Sequence, residues 1–201
     1  MANGRVLTGY SKPIIAKYSA AAGTVTYSGA IPLARGVSVN ISVQASDGTK
    51  FYADNHSAEE SGSIFNGGTA TLTVDGLKEE ARKLAMGLGD EETITVGSRQ
   101  VKAQVDNDDQ KAPYVGIGFI MRYEEEGVES FVPVILHKAV FNPDGLSAQT
   151  QGENKSYQTQ ELTATLMRDD TSKHGWRKIC DEQSTEKEAE EVIYAVFNKT
   201  A

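Results

Sequence analysis

Strict alternation of apolar and polar residues between positions 37 and 43 constrains the fold of this chain more than any other feature. The apolar side chains are Val37, Val39, Ile41 and Val43. A strand places alternate side chains on opposite faces, so this period of two predicts a strand with one face buried. Asp47-Gly48 follows, a pair that tolerates positive φ in tight turns, and the segment continues through Phe51 and Tyr52. The sequence therefore predicts a hairpin over residues 34–55.

The composition indicates a globular, turn-rich chain and excludes some function classes. Hydrophobic residues make up 39% and charged residues 24% of 201 residues, which suffices for a sizeable core. Nineteen glycines against five prolines favour a β protein over a disordered one. The formal net charge of −8 argues against sequence-independent binding to DNA or to an anionic membrane, because both need a basic surface. No composition break or fixed repeat divides the chain, so we expect one domain over residues 1–201.

The charges are unevenly distributed along the chain. Four basic residues and no acidic residue precede Asp47, whereas six acidic residues and two lysines lie from Asp181 onward. Two interpretations remain open at this point. One is a chance distribution with a solvated terminal helix, and the other is attraction between opposite ends of neighbouring subunits during head-to-tail assembly.

Cysteine usage and targeting features are sparse. Cys180 is the only cysteine, which excludes an intramolecular disulfide and a multi-cysteine metal site. The N-terminal residues lack the charged, apolar and cleavage regions of a secretion signal, and Ile14-Ile15-Ala16 is too short to span a bilayer. We therefore expect a protein that starts in a cytoplasm.

Several further segments have the composition and period of strands. They are residues 13–18 and 24–27 as edge strands, and residues 70–74, 93–105, 114–123, 128–141 and 162–166. Turns are predicted at Asn66-Gly67-Gly68, at Asp75-Gly76 and at residues 124–127. The polar stretches 56–63 and 142–156 show no periodicity and are predicted to be loops.

Two helices are predicted from apolar stripes and end signals. The stripe of the first consists of Leu77, Ala81, Leu84, Ala85 and Leu88. Gly87 and Gly89 should end it, since glycine accepts the left-handed conformation. Thr185 and Glu188 form a capping box that starts the second helix, over about 185–198. The stripe of the second consists of Ala189, Val192, Ile193, Val196 and Phe197.

The histidines do not indicate a metal or catalytic site. His56, His137 and His174 are the only histidines, and none lies at ligand spacing from another or from Cys180. For His137, which falls in a predicted strand, a structural role is therefore favoured over metal binding.

The remaining motifs are also incomplete. Residues 106–110 begin like a calcium loop, but Lys111 and Ile117 occupy the positions of the required glycine and acidic residue. Gly116-Ile117-Gly118 lies within a predicted strand and does not open a helix, so it is no dinucleotide fingerprint. The chain has neither a phosphate-binding loop nor a nucleophile elbow. We therefore expect no enzyme and no cofactor.

Eight segments follow one another along the chain: VLTGYSKP at 6–13, LARGV at 33–37, FYADN at 51–55, GGTATLTVDGL at 67–77, ARKLAMGL at 81–88, PYVGIGF at 113–119, FVPVIL at 131–136 and QTQELTA at 158–164. Taken in this order, they resemble the major tail protein of long-tailed, siphovirus-type bacteriophages and prophages. No single segment is a chemical signature, so the specificity lies in their order, which covers most of the chain. Residues 93–111 and 144–157 match the family least.

The resemblance implies a mainly β (α+β) fold, a twisted β-sandwich or partial barrel with a flanking helix and a C-terminal helix. It implies a structural virion protein of the tail that is assembled in the host cytoplasm. Copies would close hexameric rings and stack into the tail tube, which conducts genomic DNA during ejection. The implied partners are further copies of the chain and the tape measure and tail terminator proteins. DNA would pass through the lumen without specific binding, and no membrane or cofactor would be involved.

Strand edges are the expected contacts between subunits, because an unpaired edge invites a neighbour's strand and a closed ring removes it. We predict that the hairpin 34–55 and the strands within 114–141 provide lumen-side sheet and inter-subunit edges. The candidate contact residues are Val37, Val39, Ile41, Val43, Phe51, Tyr52, Asp54, Asn55, Tyr114, Ile117 and Phe119. The loops 56–63 and 142–156 are expected to be mobile in the monomer and to order against the next ring.

The alternative hypothesis is a monomeric β-sandwich binding module of the adhesin or carbohydrate-binding type. Such a module predicts a concave patch of exposed aromatic side chains. The eight tyrosines are instead dispersed, and only Phe51 and Tyr52 cluster in sequence.

Overall fold

A computed structural model describes residues 4–48, 50–53, 56–60, 62–88, 91–107, 109–151 and 157–197. Within these residues the chain forms twelve strands and two helices. The strands are β1 (Val6–Ala21), β2 (Thr24–Pro32), β3 (Gly36–Ala45), β4 (Lys50–Ala53), β5 (His56–Glu60), β6 (Phe65–Val74), β7 (Glu91–Val96), β8 (Arg99–Gln104), β9 (Val115–Glu125), β10 (Val128–Phe141), β11 (Gln160–Met167) and β12 (Arg177–Ile179). The helices are α1 (Glu79–Met86) and α2 (Glu186–Phe197).

One large antiparallel sheet organises the molecule. Its strands follow the order β2-β1-β9-β10-β11-β6-β3, and β12 pairs with residues 134–136 of β10. The sheet is curled, and this brings β3 close to β1: a Cβ at Gly36 of β3 would be 2.3 Å from the ring of Tyr10 in β1. The strand pairs β4–β5 and β7–β8 form separate two-stranded ribbons. The predicted fold class is confirmed: the chain is mainly β, in the manner of a partial barrel, with a C-terminal helix.

Apolar side chains pack against both faces of the large sheet. On the inner face, Phe119 and Phe141 lie in a core to which α1 contributes Ala81 and Ala85. The outer face carries a smaller core under α2. That outer core consists of Ile14, Ala16, Ile120, Ile135, Ala189, Ile193 and Phe197. Neighbouring residues such as Ile14 and Ile15 belong to opposite cores, as the period of two in a strand requires.

Two glycines of β9 allow α2 to lie directly on the outer face. A Cβ at Gly116 would be 2.5 Å from the ring of Tyr27 and 2.8 Å from that of Phe197. A Cβ at Gly118 would be 2.5 Å from the Ile193 side chain. Gly116 and Gly118 of the Gly116-Ile117-Gly118 sequence therefore leave the space in which α2 packs on the sheet.

Both predicted helices are confirmed, with the expected end signals. Gly87 ends α1 in the left-handed conformation at a φ of 63°, and its N–H donates to the Lys83 carbonyl. Gly89 lies outside the described residues. At the start of α2, the Thr185 N–H donates to Glu188 Oε2 at 3.1 Å and the Glu188 N–H donates to Thr185 Oγ1 at 3.2 Å. This reciprocal pair satisfies two of the unpaired amides of the helix start.

The predicted pairing of the 34–55 hairpin is wrong. β3 pairs with β6, where Val39 lies opposite Leu72 and Ile41 opposite Ala70, whereas β4 pairs with β5. The physical reason is that β6 offers ten alternating residues whose apolar face completes the inner core, and β4 has only four residues. β3 and β6 are the arms of a longer hairpin, and the β4–β5 ribbon lies between them.

Three local predictions are also corrected. Asn66-Gly67-Gly68 lies within β6 and forms no turn. A Cβ at Gly68 would be 2.6 Å from the Ser42 carbonyl oxygen of the neighbouring strand. The glycine there serves close strand approach. Residues 56–60 form strand β5, although their polar composition predicted a loop. Residues 13–18 lie in β1, which is paired on both sides and is no edge.

The close packing of α2 against Gly116 of β9 leads to a stability prediction. Gly116→Ala should lower the free energy of unfolding by about 1–3 kcal/mol, because the new methyl overlaps the buried rings of Tyr27 and Phe197. Urea denaturation followed by circular dichroism measures the change. Gly145→Ala is the matched control, since no atom lies within 4 Å of its Cβ position. Equal stability of the two variants would contradict the proposed role of the glycine.

Candidate assembly surfaces

The two edge strands of the sheet are the first candidate surface. Within the described residues, β2 and β3 end the strand order and neither has a partner on its outer side. Val39 and Ile41 of β3 pack against the inner core. Val37 and Val43 are 53% and 45% exposed. Of the four alternating apolar residues, these last two are therefore the ones available to another molecule.

The other predicted contact residues differ in how far they are exposed. Ile117 and Phe119 are buried in the inner core, so the prediction that their side chains reach a neighbouring subunit is wrong. β9 lies between β1 and β10 in the sheet, so its alternating apolar side chains are buried inside the subunit. Tyr114, just before β9, is 48% exposed, with the Lys138 ammonium 4.6 Å from its ring centroid.

The remaining predicted contacts lie around the β4–β5 ribbon. Phe51 and Tyr52 belong to β4, where their backbones face Glu59 and Ser57. The description of these two residues is limited to the backbone. Asp54 and Asn55 lie outside the described residues.

The unequal charge of the two chain ends is matched within the subunit. Arg5 Nη1 lies 3.3 Å from Glu182 Oε2, and Lys12 Nζ lies 3.2 Å from Glu190 Oε2. Ser11 Oγ also donates to Glu186 Oε1. Exposed pairs of this kind contribute only about 0–1 kcal/mol each. They do explain the charge pattern without attraction between different subunits.

The β7–β8 ribbon is a second candidate surface. In the described part of the chain it makes no ladder with the large sheet, and it turns at Gly97 with a φ of 62°. Ile94, Val96 and Val101 are 39–54% exposed. An isolated two-stranded ribbon is marginally stable in water. This ribbon therefore presents apolar surface that its own subunit leaves uncovered.

Arg82 of α1 anchors the loops at the base of this ribbon. Its guanidinium donates to Asp144 Oδ2 at 3.1 Å and to Asp106 Oδ2 at 3.1 Å. The Asp144 side chain is 5% exposed and also accepts a hydrogen bond from Gln160 Nε2 at 3.2 Å. These bonds to Asp144 raise the pKa of Arg82 despite its partial burial. The start of the predicted loop 142–156 is thus fixed to α1.

A buried polar cluster surrounds Asp169, which is 4% exposed. Asp169 Oδ2 lies 2.7 Å from His137 Nδ1, and its Oδ1 accepts bonds from the Thr171 N–H and hydroxyl. Burial alone would raise the pKa of Asp169, but the bonds from Thr171 and His137 bring it below its usual value. The Thr171 hydroxyl points to the carboxylate and not to the histidine. The arrangement therefore ties β10 to residues 169–171, in line with a structural role for His137.

Two cavities lie beside these features. One of about 440 Å³ is lined by Met86, Asp106 and Phe141, among others. A larger one of about 740 Å³ lies where β1, β3 and α2 meet, and Arg35 and Lys12 on its wall are paired with Asp75 and Glu190. Among the described residues, no group of three or more His, Cys, Asp or Glu side chains could hold a metal ion.

Neither helix of the described residues is long and apolar enough to cross a membrane. Comparison of the sequence with protein-family models and with curated proteins gives no match.

The Asp169 cluster generates a pH-dependent prediction. Asp169→Asn should lower the free energy of unfolding at pH 7 by about 1–3 kcal/mol, because it removes a buried charged acceptor of three hydrogen bonds. The folded-state pKa of Asp169 is lowered, so its contribution is complete above the ordinary carboxyl pKa and is lost as pH falls towards the folded value. The difference between wild type and variant should therefore shrink in acid.

Urea denaturation at pH 7 and in steps to pH 3 measures this difference. Asp181→Asn is the control, because the Asp181 side chain is exposed. A difference between Asp169→Asn and wild type that stays constant down to pH 3 would contradict the assignment of a charged Asp169.

Proposed function

We propose that this chain is a structural virion protein whose copies close into rings and stack into the tail tube that conducts genomic DNA during ejection. The observation that carries the proposal is the curled antiparallel sheet whose two outermost strands, β2 and β3, lack outer partners within the described residues. The ordered resemblance to phage major tail proteins supports the same function. The virion tail is then its location, after assembly in the host cytoplasm.

The edge of β3 is suited to pairing with another chain. Natural monomers protect their edges with lysine, proline or bulges. β3 has ten residues with neither lysine nor proline, and Val37 and Val43 are exposed along it. Its ladder with β6 shifts register only near the two ends, between Gly36 and Ser38 and between Gln44 and Ala45. The ladder of β2 with β1 shifts register in its interior, where Gly29 has a φ of 62°. We therefore assign β3 as the principal pairing edge.

Both open edges belong to one sheet, and this supports ring formation. When β3 of one copy pairs with an edge of the next copy, the contact is heterologous, and copies related by a closing rotation form a ring. The sheets then join into a continuous barrel around a lumen. Hexameric order follows from the family resemblance.

The net charge fits a conduit. A net charge of −8 disfavours tight binding of DNA, which would stall its passage. The proposed partners are further copies of the chain and the tape measure and tail terminator proteins. The alternative of a monomeric binding module needs an aromatic platform, but Trp176 stacks on Phe65 at 4.5 Å and is covered by Arg177.

Negative-stain microscopy of the concentrated protein tests the proposed function directly. We expect rings or tubes with a central hole, because pairing of the open sheet edges closes a barrel. Sedimentation velocity over a range of concentration and salt gives the size of the particles. Strictly monomeric particles under every condition would reject the tube and leave the binding module as the remaining hypothesis.

A variant of the β3 edge tests the mechanism of ring closure. Val37→Lys combined with Val43→Lys should abolish rings without changing the melting temperature by more than a few degrees, because both side chains are exposed in the monomer. Ile64→Lys combined with Tyr157→Lys adds the same charge at exposed positions outside the edge strands and is the control. Rings formed by the valine variant as readily as by wild type would show that this edge does not carry the contact.

A further inference from the structure

The β7–β8 ribbon has one apolar and one polar face. Directly opposed residues on the two strands share a face, and Ile94 opposes Val101 while Val96 opposes Arg99. We call the face that carries these four residues the ribbon face; at its base it also carries Glu92 opposite Ala103. The other face is polar, with Thr93 opposite Lys102 and Thr95 opposite Gln100. Such a division is typical of a strand pair that packs against something.

The subunit itself does not cover the ribbon face. Its three large apolar side chains are exposed by 47% at Ile94, 54% at Val96 and 39% at Val101. Contiguous exposed apolar surface of this kind marks an interaction site.

The ribbon is rooted at the end of the subunit where β9 begins and β10 finishes. Lys83 of α1 pairs with Glu91 at the base of the ribbon. The adjacent Arg82 bonds Asp106, just after β8, and Asp144, just after β10. The opposite end of the subunit is the turn between β9 and β10. β9 has eleven residues, so the two ends are about 33 Å apart at about 3.3 Å per residue.

That opposite end carries a patch with matching chemistry. Leu7 opposes Tyr123 and Val128 opposes Glu125, so all four share one face of the sheet. Leu7 is 53% and Val128 70% exposed. We call Leu7, Glu125 and Val128 the terminal patch.

The charges of the two surfaces are complementary. Arg99 stands opposite Val96 near the tip of the ribbon face, whereas Glu92 lies at its base. Glu125 stands opposite Val128 on the terminal patch, and the nearby Arg5 lies over the Tyr123 ring and pairs with Glu182. In the described part of the chain, neither Arg99 nor Glu125 forms an ion pair. An apolar surface with an available cation at one end thus matches an apolar surface with an available anion at the other.

We propose that the ribbon face of one copy docks on the terminal patch of the next copy, with Arg99 against Glu125. The proposal rests on the proposed tube function and names the contact that stacks successive copies along the tube axis. Because the two surfaces lie at opposite ends of the subunit, the contact is heterologous and repeats without closing. It is separate from the β3 edge, which carries the contacts within a ring.

A charge placed on the ribbon face tests the contact. Ile94→Asp should raise the concentration needed for association at least about tenfold, because a carboxylate would be buried among apolar groups. Thr95→Asp is the matched control: it is adjacent, β-branched in the native chain, and on the polar face. Sedimentation velocity and microscopy measure association. Association of Ile94→Asp at the wild-type concentration, or no association of the wild type at all, would overturn the proposal.

A charge exchange makes the test independent of any loss of folding. Arg99→Glu and Glu125→Arg should each weaken association, because they place like charges together. The two changes combined in one chain should restore it to within a fewfold of wild type, since every contact again joins opposite charges. A combined variant as weak as the single variants would overturn the pairing of these residues.

The outcomes also separate this contact from the tube itself. Fibres without a central hole that disappear in Ile94→Asp would support the docking and reject the tube. Tubes with a central hole that persist in Ile94→Asp would support the tube and reject the docking. Tubes in the wild type with isolated rings in Ile94→Asp would support both.

Discussion

The packing of α2 on β9 is the contact on which the rest of this structure depends. A mainly apolar sheet must be covered on both faces, and its inner face is closed by its own curvature and by α1. The outer face depends on one helix, whose Ile193 and Phe197 can reach the sheet only because residues 116 and 118 lack side chains. Burial of two such side chains stabilises the fold by about 1.5–3 kcal/mol each. The charged N-terminal strand then anchors the same helix through Lys12 and Glu190.

Once both faces are covered, the sheet edges and the projecting ribbon are the surfaces to which we assign contacts with other molecules. Within the residues that the structure describes, β3 keeps its outer edge open, and the β7–β8 ribbon keeps its apolar face exposed at one end of the subunit. An edge suits lateral pairing of sheets, whereas surfaces at opposite ends suit stacking. The two proposed contacts are therefore different in kind, and they can be disabled separately. The polar cluster around Asp169 and the Arg82 anchor serve the monomer, because their bonds are satisfied within it.

Much of the local structure could be predicted from the sequence, because short-range signals dominate it. The capping box of Thr185, the left-handed Gly87 and the turn at residues 126–127 all act over a few residues. Strand pairing could not be predicted in the same way. The alternation of β3 is equally compatible with β4 or β6 as partner, and the choice depends on which of them completes a core. Likewise Ile117 and Phe119 alternate as an edge strand would, and only their central position buries them.

By itself the sequence determined that the chain is mainly β, where α1 ends and α2 begins, and that no complete catalytic motif is present. These properties depend on period, turn chemistry and residue type, which are local. Only the tertiary structure decided that β3 joins β6 at the open edge of one sheet, that the oppositely charged chain ends meet within one subunit, and that the glycines of β9 hold α2. It also placed the ribbon face and the terminal patch at opposite ends. Those relations join residues up to 177 positions apart, and such contacts are selected by the burial that the whole sheet achieves together.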